Sequence, residues 1–473
     1  MNKEKYFAST MLLLFVYTLP LVISGTYYFD DIFRATFERS GWTADGRPLS
    51  DIIYTMLSFG GNAPDIYPFP LYASFLLFTV SSFLLCKRLE LRCYISAIAI
   101  FLPIVINPIF ISNLAFRFDG ALMLASQSII ILIFSLNRSK FYTCLSVLLL
   151  IMSVCIYQAS INSFICLSAI ELCIFSCIKT TAYSIKNVLS RIFQLFIAYA
   201  IYSLLILKVI SIGGYFNEIS QTIHLDKNIF SNILNNIYLF YSFIHSIFDK
   251  PLLLLISCIS ICFMYHAKNA IKDINLVKKI IAVISLLTCV LSIPGVQAFS
   301  LSPTYYARTL FSFGIFISFM IYVISLNSKK TAFVASSIFL AYSFMSMSSF
   351  ANSSRMIYEW NNKVSQSIIY EINEKIKNTT DKIVINGTLV RPKISTVNSG
   401  SFLVVNSFLP DYYSNMYDGG RFMLMQNGYK DVYYTDKETA KKYIEITRGA
   451  DPIYSSNVYS LFNVDNTPVI IFK

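Results

Sequence analysis

Ionisable side chains are scarce in this chain: 14% of its residues are Asp, Glu, Lys or Arg, while 55% are hydrophobic. A soluble globule carries far more surface charge, so that class is excluded. Histidine is nearly absent, with only His224, His245 and His266. His266 falls on the basic side of the chain, and the other two have no acidic or cysteine partner at ligand spacing, so no metal site is expected. All ten cysteines lie in or beside apolar runs. The loops and the tail therefore hold no disulfides, and CIFSC and CISIC read as packing. Also missing in proper context are a Walker A loop, GxGxxG, GxSxG and HExxH, which leaves no basis for ATP, nicotinamide or serine-hydrolase chemistry.

What the chain does have is a series of apolar runs, each near the ~20 residues that cross a bilayer. Lipid leaves backbone groups no outside partner, so these runs are expected to be helices. Spans are expected near residues 7–25, 70–86, 93–113, 120–136, 141–157, 162–178, 192–212, 251–266, 280–298, 310–326 and 331–350. The first run, Phe7 to Gly25, lacks a small-x-small cleavage site and reads as a span, not a signal.

The net charge of +12 invites a nucleic-acid partner. Sorting the charge by segment removes that idea. The excess sits in MNKEK, KRLELR, NRSK, the 179–191 loop, AKNAIKDINLVKK and NSKK, all on one side of the proposed spans. This positive-inside pattern puts the N-terminus in the cytoplasm and, with eleven spans, the C-terminus on the outer side. The segment 229–248 is long enough to cross, but a crossing there would reverse the charge bias. It is expected to be an amphipathic or re-entrant helix at the outer interface.

The expected architecture is thus an α-helical polytopic membrane protein of about eleven transmembrane helices. Residues 1–350 form the membrane domain, with outer loops at 26–69 and 213–250. Residues 351–473 form a small outer α/β domain, periplasmic if the membrane is a bacterial inner membrane. In it, an amphipathic helical pattern covers Arg355–Asn378, and the β-like run DKIVINGTLV and the apolar run SFLVVNSF follow. A second helix is capped by Thr435 and stopped near Gly449. Two strands then flank an Asp465-Asn466 turn.

A charge in hydrocarbon costs about 2.5–3.5 kcal/mol on insertion scales, so the exceptions to the apolar rule are informative. They gather at the outer ends of spans. Asp30, Asp31 and Arg34 follow the first. Arg117 and Asp119 lie in NLAFRFDG, Tyr157 and Gln158 in IYQAS, and Arg308 in SPTYYARTL. Asp30 and Arg34 are helical i,i+4 neighbours that can pair, which leaves Asp31 to point elsewhere. A carboxylate can take a proton from an attacking hydroxyl, and arginines can hold a phosphate through two N–H groups. Together these groups suit transfer from a lipid phosphate to a hydroxyl. The blander alternative is that they neutralise one another as interfacial ion pairs. Lys208 can snorkel outward or meet a lipid phosphate. Glu171 lies deeper in a span, with no partner evident in the sequence. Tyr412, Tyr413 and Tyr417 are candidates for stacking on sugar.

In order, YYFDD-I-x-R, GWTADGRPL, NLAFRFDG, IYQAS and YYARTL, with the closing PIYSSNVYSLFNVDNTPVIIF, resemble the serotype-converting O-antigen glucosyltransferases, a family of type II multi-span enzymes. The resemblance covers nearly the whole chain. It implies a GT-C-like fold and transfer of glucose from undecaprenyl-phosphate glucose to a lipid-linked O-antigen repeat on the periplasmic face, by a single inverting displacement. It implies an acidic residue of the first outer loop as general base, here Asp30 or Asp31. By analogy Arg308, Arg117 or Arg34 would hold the donor phosphate, and Asp119, Tyr157, Gln158, Arg47 and Lys208 would contact substrate. The turn at Gly46, Arg47 and Pro48 more readily shapes the loop than acts chemically. No cofactor is expected beyond the lipid-linked donor, with dependence on a divalent metal left open. The functional partners implied are a bactoprenol glucosyltransferase and a flippase.

Two rival readings stay open on sequence alone. A flippase or transporter of lipid-linked sugars would share the spans and the arginines, but would need no base and would more often show repeat symmetry. A GT-C transferase for another sugar would differ in hydrogen bonds that the sequence does not place.

Overall fold

The computed structural model describes residues 1–60, 62–136, 141–179, 185–223, 228–270, 272, 274–415 and 418–473. His224, Tyr417 and the NRSK segment lie outside the described residues. The chain opens with α1 (Lys3–Ser24), α2 (Asp30–Phe37), α3 (Pro48–Leu57), α4 (Phe69–Arg88), α5 (Tyr94–Phe101), α6 (Ile111–Leu114) and α7 (Asp119–Ser135). It continues through α8 (Tyr142–Ile156), α9 (Ser160–Cys173), α10 (Ile185–Ile201), α11 (Leu207–Val209), α12 (Gly214–Ile219) and α13 (Ile229–Ile247). Next come α14 (Lys250–Ala270), α15 (Leu276–Leu291), α16 (Ser312–Asn327) and α17 (Lys329–Lys375), a single helix of 47 residues.

Among the described residues, six helical stretches are long and apolar enough to cross a membrane: Lys3–Ser24, Phe69–Arg88, Ser160–Ile178, Lys186–Val209, Lys250–Ala270 and Lys329–Lys375. Shorter apolar helices cover Tyr94–Ile104, Asp119–Ser135, Tyr142–Ile156 and Ser312–Asn327. The fold is therefore mainly helical, as expected, and compatible with a membrane. The 229–248 segment is helical as α13, with Phe230, Leu234, Tyr238 and Tyr241 exposed and Asn236 buried. The segment is helical, as expected.

Two expected spans are corrected. In the 280–298 segment the α-helix ends at Leu291, ahead of Pro294, and a 3₁₀ helix covers Gly295–Phe299. The 93–113 segment is not one helix, because α5 ends at Phe101 in a 3₁₀ turn over Leu102–Ile104. Pro103 has no N–H and its ring opposes a continuing helix. The Ala99 carbonyl that Pro103 leaves unpaired accepts from the Ser336 hydroxyl at 2.7 Å, and Asn107 closes the turn that follows. Its Nδ2 donates to the carbonyls of Pro103 at 3.1 Å and Ile104 at 3.0 Å, and its Oδ1 accepts from the Phe110 N–H at 2.9 Å. Residues 99–116 are all buried, the condition under which irregular backbone is tolerated at membrane depth.

Gly314 of α16 makes the close approach to this break possible. A Cβ there would lie 2.7 Å from the carbonyl oxygens of both Pro103 and Ile104. Backbone cannot swing aside as a flexible side chain can. Gly314→Ala is expected to destabilise the protein by about 1–3 kcal/mol, read as a lower melting temperature in detergent. An unchanged melting temperature would show that the turn gives way freely.

The described residues separate into two compact units. One comprises Met1–Leu19, Ser40–Gly61 and Ile66–Met347, and the other Pro20–Arg39, Asn62–Asp65 and Ser348–Lys473. The second unit thus takes in α2 and the C-terminal half of α17. It adds α18 (Lys393–Ser399), α19 (Leu403–Phe408), α20 (Gly419–Gln426) and α21 (Lys437–Thr447). Its sheet runs β2 (Tyr433–Tyr434), β1 (Lys382–Asn386), β5 (Thr467–Phe472), β4 (Tyr459–Val464), β3 (Tyr454–Ser455). β1 is parallel to β2 and β5, and β4 is antiparallel to β5 and β3.

The β4–β5 hairpin turns at Asp465 and Asn466, both at positive φ. That is the two-residue hairpin turn expected for this pair. Val384, Phe462, Val464 and Val469 form a buried cluster covered by Ala440, Tyr443 and Ile444 of α21. Each such side chain contributes about 1.5–3 kcal/mol on full burial. The cap of α21 is Asp436, not the expected Thr435: its carboxylate accepts from the Thr439 N–H at 2.9 Å. That hydrogen bond holds the Asp436 carboxyl below its ordinary pKa. The cap's contribution is therefore full above the unfolded pKa and lost as pH falls through the lower folded value.

Candidate active site

In the first unit, the stretch GWTADGRP closes on itself before α3 begins. The N–H groups of Asp45 and Arg47 donate to the Trp42 carbonyl at 3.1 and 2.8 Å. Gly46 sits at φ +72°, a left-handed conformation that favours glycine. Pro48 then starts the helix, where a missing N–H costs nothing. The Asp51 carboxylate accepts from the Thr43 hydroxyl and ties the turn to α3.

This turn delivers Trp42 and Arg47 to Asp119, at the start of α7. Asp119 Oδ1 accepts from Trp42 Nε1 at 2.7 Å and from Arg47 Nη1 at 3.2 Å. The Arg47 guanidinium lies over the Tyr157 ring, 4.6 Å from its centroid. Arg47 Nε is buried and has no hydrogen-bond partner among the described residues. Gln158 Nε2 donates to the carbonyls of Asp45 and Gly46 at 2.9 and 3.1 Å and to the Tyr202 hydroxyl at 3.0 Å. Tyr157 Oη donates to the Arg308 carbonyl at 3.4 Å, and Asn113 Nδ2 donates to the same oxygen at 2.8 Å. Four sequence motifs, far apart in the chain, therefore meet: the Trp42–Pro48 turn, Arg117–Asp119, Tyr157–Gln158 and Arg308.

Each arginine of the group stacks on an aromatic ring. Arg117 lies over Tyr67 at 4.8 Å, and Arg308 lies over Tyr306 at 4.9 Å and Phe116 at 5.3 Å. Stacking fixes the plane of a guanidinium and so aims its N–H fork, the geometry that recognises a phosphate or carboxylate. Three oriented cations and one carboxylate can bind an anion and hold a sugar-bearing ligand.

In the second unit, α2 carries the first-loop carboxylates. Asp31 is fully buried, its Oδ2 accepting from the Tyr28 N–H at 3.0 Å, while the Asp31 N–H donates to the Tyr28 carbonyl at 3.0 Å. Arg34, one turn on, is buried on the same face, whereas Asp30 is exposed. The helix rests on C-terminal residues. Phe33 and Phe37 pack on Phe422, with centroids 5.6 and 5.7 Å away. Tyr28 Oη donates to the Phe408 carbonyl at 2.7 Å, and Tyr412 Oη to the Tyr27 carbonyl at 2.5 Å. Arg391 grips the Asp411 carboxylate at 2.6 and 2.9 Å and donates to the Leu409 carbonyl, fixing the strip that meets Tyr28.

Tyr412 and Tyr413 are corrected as sugar-stacking candidates. Both rings are buried, and the Tyr413 hydroxyl pairs with the Ser365 hydroxyl at 2.6 Å. Lys208 is exposed on α11, beside the exposed Leu204, Leu205 and Val209, and is not part of the Arg47–Asp119 group.

Two sets of residues escaped the sequence reading. Trp42 was not singled out, although one of only two tryptophans in a polar turn signals an indole N–H that needs an acceptor. Glu171 has partners after all. Arg191 donates to it from Nε at 2.8 Å and from Nη2 at 3.1 Å, and Arg88 donates to Glu171 Oε1 from Nη2. A carboxylate in an apolar run demands a cation. Arg88 ends α4 and Arg191 lies in the second turn of α10.

The family model described as Glucosyl transferase GtrII matches residues 19–348. A relative from Salmonella phage P22, described as an uncharacterized 55.3 kDa protein in the gtrB 5′ region, is 29% identical over 253 residues. The alignment covers 52% of each chain, so this chain spans about half the length of that relative. No solved structure matches the chain. The matched stretch holds Asp30, Asp31, all three stacked arginines and Asp119, and on that match the chain belongs to the Glucosyl transferase GtrII family of glycosyltransferases.

Proposed function

We propose that this protein transfers glucose from undecaprenyl-phosphate glucose to a sugar hydroxyl of a lipid-linked O-antigen repeat, at the periplasmic face of the inner membrane. The observation that carries the reading is the glucosyl transferase family match over residues 19–348. The stacked arginines and the buried first-loop carboxylate support it. So does the one-sided basic charge, which supports a cytoplasmic N-terminus and a C-terminal domain on the opposite side. About eleven spans in a GT-C-like arrangement are part of the same proposal. The donor would be made by a bactoprenol glucosyltransferase and moved across by a flippase.

The step is one inverting displacement. The acceptor hydroxyl oxygen bonds to the anomeric carbon as the bond from that carbon to the phosphate oxygen breaks. The electron pair leaves with undecaprenyl phosphate, and the hydroxyl proton passes to a carboxylate, assigned to Asp31. Charge grows on the departing phosphate, so cations there stabilise the transition state more than the ground state. That role is assigned to Arg308 and Arg117, with Arg34 as a further candidate. Arg47, Asp119, Tyr157 and Gln158 bind or position substrate. Lys208 is the weakest candidate, being exposed among lipid-facing side chains.

Membranes containing the protein, given radiolabelled undecaprenyl-phosphate glucose and lipid-linked O-antigen, test the reading directly. Label in the polysaccharide supports it. Label that only changes leaflet leaves a transporter in its place. Arg308→Lys keeps the charge but loses the planar fork, and is expected to raise the donor KM about tenfold or more. An unchanged KM would remove Arg308 from phosphate binding.

A further inference from the structure

A groove of about 710 Å³ opens between α14, α15 and α16. Its walls are apolar, including Phe263, Met264, Val283 and Leu286, and its rim carries Lys268, Lys272 and Lys279. No carboxylate is among the described residues that line it. The volume falls within the range of sites that take a drug-sized or larger ligand. Met264, Tyr265 and Val283 are more than half exposed, so the groove is open along its side as well as at its rim. The lysine rim lies where α14 ends and α15 begins. Apolar walls call for hydrocarbon, and the rim calls for a negative headgroup. Basic pockets between membrane helices bind anionic lipid headgroups on these grounds.

We propose that this groove is a binding site for an anionic phospholipid, with its phosphate on Lys268 and Lys279 and an acyl chain between α14, α15 and α16. The occupant is a lipid of the surrounding bilayer and not a reactant. The site stands independently of the proposed transfer reaction, and its test uses no activity.

The test is native mass spectrometry of the full chain purified in detergent and exposed to phosphatidylglycerol or phosphatidylcholine. The wild type is expected to retain phosphatidylglycerol in clear preference. Each lysine near a lipid surface is worth about a fivefold change in affinity, so the double variant Lys268→Gln/Lys279→Gln should lose about 25-fold of that preference. Val283→Trp keeps the charges and fills the groove, and should lower retention of both lipids. An unchanged melting temperature shows that each variant is folded. Equal binding of the two lipids, a preference that survives the lysine changes, or displacement of phosphatidylglycerol by equimolar undecaprenyl phosphate would each overturn the proposal.

Discussion

Asp31→Asn is expected to cut glucosyl transfer by roughly 10²–10⁴-fold, the range for losing a general base, while donor lipid still binds. The variant isolates chemistry from folding for a structural reason. Asn keeps an oxygen where Asp31 accepts from the Tyr28 N–H, so the start of α2 survives. What disappears is the ability to take a proton. Asp30→Asn, on the exposed side of the same turn, should leave most of the activity. The measurement is labelled transfer in membranes with matched expression, alongside donor retention by the purified protein. Loss in Asp30→Asn alone would move the base by one residue. Full activity in both variants would remove carboxylate base catalysis by this loop. The same geometry ties the proposed base to residues far beyond the family match, because Tyr28 is held by Phe408 and α2 by Phe422. Changes in that strip should therefore act on the rate through the placement of Asp31.

Glu171→Ala is expected to destabilise the protein by about 3–5 kcal/mol, the cost of breaking a buried ion pair from one side. Glu171 is 4% exposed, as is Arg191, and Arg88 shares the same carboxylate. Arg191 also lies 4.1 Å above the Phe134 ring and donates to Gln194 Oε1 at 3.0 Å. Without Glu171, two guanidinium groups remain in an apolar setting, and arginine cannot discharge itself by losing a proton. Thermal unfolding in detergent should show a large drop. Glu171→Ala combined with Arg191→Met should recover part of it, since one stranded charge is then gone. A single variant as stable as wild type would show that water reaches these arginines.

Much of this was legible from spacing alone. The helices, including that of 229–248, and the hairpin at Asp465-Asn466 follow from periodicity and turn chemistry, which are local properties. The meeting of Arg47, Asp119, Tyr157 and Arg308 was legible only as a shared sidedness. Which of them touch depends on tertiary packing that no short window contains. The break after Phe101 was missed because 93–113 has the hydropathy of a span, and hydropathy does not register one proline with an asparagine four residues on. The burial of Tyr412 and Tyr413 was missed for a related reason. Tyrosine serves packing and recognition alike, and only the surroundings decide. Glu171 was correctly located, but its partners lay in segments read only for net charge.

The interrupted α5 also bears on the order in which the protein can be made. The turn at Leu102–Ile104 and Asn107 is covered by Gly314 of α16, which a ribosome reaches some 200 residues later. Until then the turn has its own backbone hydrogen bonds and the Asn107 side chain, but not the helix that covers it. This stretch can enter the bilayer early but cannot settle there alone. Its final seating belongs to the last stage of biogenesis, and a nascent chain cut before α16 should be handed to membrane quality control.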